Sequence, residues 1–136
     1  MSAPEIALIR GVFDHLAADA SVRAVLGHPA RISADPPADP LFPFLCLGPV
    51  DTRPADSASC PAHEHAVTLH AYGRDQGRAE VLALIAVLRD ALRGAALTLT
   101  GHRLVLLIPT YADVLRAADG RTVLGLLRLR AITEPL

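Results

Sequence analysis

Cys60, His63, His65 and His70 carry the chemistry of a metal site in one short stretch of sequence. A thiolate and neutral imidazoles are the ligands that zinc prefers. On an extended strand His63 and His65 project to the same side and could share an ion. His70 is five positions beyond His65 and therefore falls on the opposite face. A third ligand would have to be Cys60, on its loop, or a distant group, and neither an HExxH helix nor paired Cys spacing is present. The same residues read equally well as exposed or interface histidines, so the expectation is no bound metal and no cofactor.

Other reactive residues are no better organised. Cys60 with His63 could form a thiolate pair, but a Pro- and Ser-rich loop supplies neither rigid positioning nor an oxyanion hole. Ser57 and Ser59 lie in that loop without a G-x-S-x-G elbow. Glu64, Glu80 and Asp90 are separated by element boundaries, so no carboxylate pair is placed for acid–base work. The GRDQG stretch from Gly73 to Gly77 lacks the GK[ST] ending of a phosphate loop. It reads as a strand-to-helix turn in which Asp75 or Gln76 favours the helix N-terminus. No catalytic residue is expected. A small metal-dependent enzyme using His63 and His65 is the alternative that this cluster leaves open.

Arg128 and Arg130 share one face of the last predicted strand, with Arg103 and Arg116 on other strands. Beside Leu124 and Leu126, these arginines read as a partly buried surface that meets a partner, with a simple solvated face as the alternative.

The elements that must position these groups are legible from periodicity. The chain has 136 residues, 51% of them hydrophobic and 20% charged, which excludes disorder as its overall state. A net charge of −1 gives no global attraction to nucleic acid or an anionic membrane. Every basic residue is arginine, a bias that reflects base composition. With 4% aromatics and no Trp there is little material for base stacking, so sequence-specific nucleic-acid binding is not expected. Cys46 and Cys60 form no disulfide framework, and a reduced, cytoplasmic thiol is the expectation. No signal peptide is legible. The longest apolar run, Val81 to Leu88, is far short of the ~20 residues of a membrane span.

Ser2 and Glu5 have the S-x-x-E spacing of a capping box, and Ile6, Ile9, Phe13 and Leu16 form one apolar stripe of a first helix. Asp19 and Ser21 can cap a short second helix that Gly27 closes. Residues 28–43 are a Pro-rich connector with a short strand at Arg31 to Ser33. A strand follows at Phe44 to Leu47, bounded by Gly48-Pro49. Residues 51–63 read as a mobile loop that orders against a partner, so deleting residues 53–61 is expected to spare the fold. Glu64 to Tyr72 is a strand with His65, Val67, Leu69 and Ala71 on one face. Arg78 to Arg93 is a helix whose Val81, Leu84, Ile85, Leu88 and Leu92 share a stripe. Leu82 and Val87 lie outside that stripe, which places a second cover over the helix, such as a neighbouring subunit. Leu97 to Leu99 and Arg103 to Ile108 read as one hairpin. Tyr111 to Ala117 and Thr122 to Thr133 read as another, turned at Asp119-Gly120. A single domain spanning 1–136 follows, of α+β class, with a mainly antiparallel sheet and two principal helices packed on one face.

The ordered pieces together resemble a known family. They are Ala18-Asp19-x-x-Val22-Arg23-x-x-Leu26-Gly27, Arg31-Ile32, Phe42-Pro43-Phe44 and His65-x-Val67-Thr68-Leu69-His70-x-Tyr72. Leu88 to Leu92, Leu97 to Val105, Asp119 to Thr122 and Leu127 to Ala131 complete the set. The chain resembles the phage tail-completion (tail-terminator) family, with members in phages, prophages and gene transfer agents, from about Glu5 to Glu134. The resemblance implies a non-enzymatic structural protein that forms a hexameric ring on the tail tube and joins it to the head connector or stopper. It also implies localisation in the cytoplasm during assembly and then in a virion, with DNA passing through the ring. Another head–tail neck protein, a stopper or adaptor, is the nearest alternative. Leu82, Val87, Arg128, Arg130, Asp56 and Ser59 are the candidate partner or subunit contacts.

Overall fold

The computed structural model describes residues 3–56 and 60–136. Helices α1 (Pro4–Ala18) and α2 (Ala20–Leu26) open the chain, followed by β1 (Ile32–Ser33), β2 (Phe44–Pro54) and β3 (His63–Arg74). Helix α3 (Arg78–Leu92) and strands β4 (His102–Arg116) and β5 (Thr122–Pro135) complete it. The five strands form one sheet in the order β1-β2-β3-β5-β4, antiparallel except where β1 meets β2. The predicted α+β class is the observed one.

Helix stripes and strand alternation meet on one side of this sheet. Leu8, Val12 and Leu16 of α1, Val22 and Leu26 of α2, and Val81, Leu84, Ile85, Leu88 and Leu92 of α3 pack against Val67, Leu69, Leu127 and Leu129. The α3 stripe is the predicted one. On α1 the predicted stripe is only partly the core stripe. Leu16 is buried and Phe13 packs half-buried against the core, but Ile6 is 56% exposed and Ile9 only half-buried. Ala7, Leu8 and Val12 take the core instead. Both stripes fit a 3.6-residue period, and only the position of the sheet chooses between them.

The strands also run longer than predicted. Strand β2 passes through Gly48-Pro49 on a register shift between Leu47 and Val50 and ends at Pro54. Arg53 and Pro54 pair with Glu64 and His63, so both ends of the supposed 51–63 loop lie in strands, and deleting residues 53–61 would cut into the sheet. Strand β4 is continuous through Pro109, with register shifts around Val105 and Thr110. Proline is tolerated there because β4 is the sheet edge, where a missing N–H need not serve a neighbour. The predicted Leu97–Leu99 hairpin strand does not form; Leu99 makes an isolated bridge to His102, and Leu97 packs against the core.

Local caps follow partly as expected. Asp19 Oδ1 accepts from Val22 N–H at 3.0 Å and Gly27 closes α2 at φ 85°. The N-cap of α1 is Ala3, which has no capping side chain, and Ser2 lies outside the described residues. Neither Asp75 nor Gln76 caps α3: its N-cap is Gly77, and Asp75 instead pairs with Arg121.

Helix α3 lies close to the sheet because glycine floors it. A methyl at Gly125 would stand 2.6 Å from Val81 Cγ1 and 3.1 Å from Ile85 Cγ1. Both neighbours are branched core side chains with little freedom to move. Gly125→Ala is therefore expected to destabilise the fold by about 1–3 kcal/mol. The check is urea unfolding, with a lower midpoint and unchanged slope.

Candidate functional site: an uncovered sheet face

All three helices pack on one face of the sheet, and no helix among the described residues covers the other. Residues that alternate out of the core populate that face: Leu124, Leu126, Arg128, Arg130 and Ile132 of β5, and Leu106, Ile108, Tyr111, Asp113 and Leu115 of β4. Cross-strand register pairs Tyr111 with Arg128, Ile108 with Arg130, Asp113 with Leu126 and Leu115 with Leu124. Tyr111 is 51% exposed, Ile108 and Leu115 37% each. An apolar surface of this kind, dotted with arginine, has the composition of a protein contact.

The arginines there are held differently. Arg130 Nε donates to Glu64 Oε2 at 2.9 Å across the sheet, and this bond holds the Glu64 carboxyl below the usual carboxylate range. Arg103 pairs with Glu134, which also accepts from the Cys60 thiol at 3.3 Å. That bond, chiefly, raises the Cys60 pKa, so Cys60 is a poor nucleophile. Arg128 makes no ion pair among the described residues; its guanidinium lies 5.4 Å from the centroid of Tyr111. Arg116 is not on this face. It sits opposite Val123 and bonds the carbonyls of Asp75 and Gly120, tying the β4–β5 turn to the β3–α3 turn. The β4–β5 turn is itself preformed. Asp119 accepts from Arg121 N–H, Thr122 N–H and the Thr122 hydroxyl, which lower its pKa to about 2.

The structure does not bring the remaining candidates together. Leu82, 52% exposed, is on the helix layer, behind the sheet from Arg128 and Arg130. Val87 is half-buried and packs against the core. Asp56, beyond the end of β2, accepts from Ala62 N–H at 3.0 Å, and Ser59 lies outside the described residues.

The histidines are dispersed as well. His65 is fully buried on the helix-covered face, with Nδ1 2.9 Å from Thr52 Oγ1 and Nε2 2.8 Å from Thr133 Oγ1. With a hydroxyl against each ring nitrogen, the neutral imidazole donates to one threonine and accepts from the other. His70 is on the other face, its Nδ1 3.4 Å from the Tyr72 hydroxyl. Among the described residues no three His, Cys, Asp or Glu side chains are grouped as metal ligands.

Sequence reasoning missed a second surface. Ile6, Ile9, Phe13, Ile32 and Leu47 line a groove of about 500 Å³ between α1 and the β1–β2 edge, with Arg10 and Asp14 on its walls. The signal is the second apolar stripe of α1, which periodicity alone places in the core.

A family model described as "Tail completion protein gp17" matches residues 10–134. The chain belongs to the tail completion protein gp17 family. It is thus a phage-type tail-completion structural protein. A chain of a solved structure described as "Virion of native gene transfer agent (GTA) particle" is 30% identical to this tail-completion chain. The match covers 98% of this chain and 99% of that one, with a TM-score of 0.88. No curated protein matches it. No helix among the described residues of this family member is long and apolar enough to cross a membrane.

Proposed function

We propose that the chain is a tail terminator: a structural, non-enzymatic subunit of a hexameric ring that caps the tail tube and presents a surface to the head connector or stopper. What carries this reading is the likeness to a virion chain over nearly the whole of both chains. The uncovered apolar sheet face and the exposed second stripe of α1 support it, because a closed ring needs two different patches on each subunit. The ring is assembled in the bacterial cytoplasm and stays in the neck of the particle, where DNA passes through it without sequence readout. The enzyme alternative loses its footing at His65, whose two ring nitrogens are both engaged by hydroxyls in the core.

Native mass spectrometry over a concentration series, with and without divalent metal, tests the proposal. The expected result is a sixfold mass at high concentration and no stoichiometric metal. A persistent monomer carrying one metal per chain would overturn it.

A further inference from the structure

We propose that the Tyr111–Arg128 patch of the uncovered sheet face docks into the α1–β1–β2 groove of a second copy, as the repeating contact of the ring. This rests on the ring reading and names the two surfaces that would close it.

Three observations carry the inference. The first is placement: strand β4 forms one edge of the sheet, while the groove lies beside β1 at the other edge and on the helix-covered side. One subunit cannot bring these two patches together itself, but a head-to-tail neighbour can. The second is apolar match. Tyr111, Ile108 and Leu115 stand exposed on the sheet face, and Ile6, Ile9 and Phe13 leave an apolar trough open on α1.

The third is charge. Arg128 and Asp113 lie diagonally across β5 and β4, and Arg10 and Asp14 are one turn apart on α1. None of these four makes an ion pair among the described residues, whereas the neighbouring Arg130 and Arg103 are already paired with Glu64 and Glu134. Each patch therefore offers one cation and one anion. Docked in the opposed orientation, Arg128 meets Asp14 and Asp113 meets Arg10, so both pairs form at once. Such complementarity fixes register and rejects wrong docking.

A charge swap tests the contact. Arg128→Asp and Asp14→Arg each change an exposed residue, so far-UV circular dichroism and the melting temperature should show an intact fold. Each single variant should move the concentration midpoint of ring assembly, read by native mass spectrometry, up by about tenfold or more. The double variant should recover most of that loss. Single variants that keep the wild-type midpoint, or a double variant no better than either single, would overturn the proposed contact while leaving the ring intact. If the wild-type chain is monomeric in solution, the same three variants are scored by joined particles in the producing cell: loss in each single and recovery in the double are expected, and the opposite pattern overturns the contact. A wild-type chain that forms no ring in solution or on particles would instead sink the ring reading.

Discussion

Leu88→Ala is expected to destabilise the protein by about 3 kcal/mol, lowering the melting temperature by roughly 10 °C. Leu88 is fully buried in α3, where the helix crosses the sheet. Removing its side chain forfeits apolar burial and leaves a cavity, because α3 is pinned against the sheet at Gly125 and cannot settle inward. Leu82, nearly two turns earlier on the same helix, is half in water. Leu82→Ala should change stability by no more than about 0.5 kcal/mol. Chemical denaturation followed by circular dichroism makes the comparison. Equal losses at the two positions would mean that α3 is rotated relative to the sheet.

The second large effect is expected at His65. His65→Ala opens a cavity beneath α1 and strips the Thr52 and Thr133 hydroxyls of a partner, at a cost of about 2–4 kcal/mol. The same residue should write a pH signature. Burial is the main cause of its lowered pKa; His63 and His102 act in the same direction, and Glu5 opposes them. With the folded pKa below the unfolded value of about 6.5, the unfolded chain binds the proton more readily. The stabilising contribution is therefore fully present above about pH 6.5 and is lost as pH falls from there through the folded pKa. His65→Leu keeps an apolar filling and cannot titrate, so its stability should be flatter across that window than that of the wild type. Urea midpoints measured at steps between pH 7.5 and 5 read the difference. Parallel curves for the two proteins would place the proton sensitivity elsewhere.

Interior elements with one buried side were the easiest to read. The α3 stripe from Val81 to Leu92, the alternation of β3 and β5, the Asp19 cap and the Asp119-Gly120 turn all stand where the residues put them. In each case a single local rule, whether period, cap or turn chemistry, had no competitor. Errors arose where two local readings were equally good. Pro109 looked like a strand end, yet an edge strand tolerates it. Gly48-Pro49 looked like a boundary, yet a register shift carries β2 past it. The polarity of residues 51–54 looked like a loop, yet it is the exposed end of a strand.

The candidate site was legible only in fragments. Residue order gave the family resemblance, and strand alternation put Arg128 and Arg130 on one face. Arg103 joined them, while Arg116 was drawn off to clip two turns together. By itself the sequence determined the class of fold, the main helical core and the family, because these depend on local periods and on the order of short motifs. Tertiary structure alone decided which stripe of α1 is buried, which strands form the edges and which charges lack a partner. Each of those is a relation between segments far apart in the chain. A period sets the spacing of a stripe; only the surface packed against it chooses which stripe leaves water.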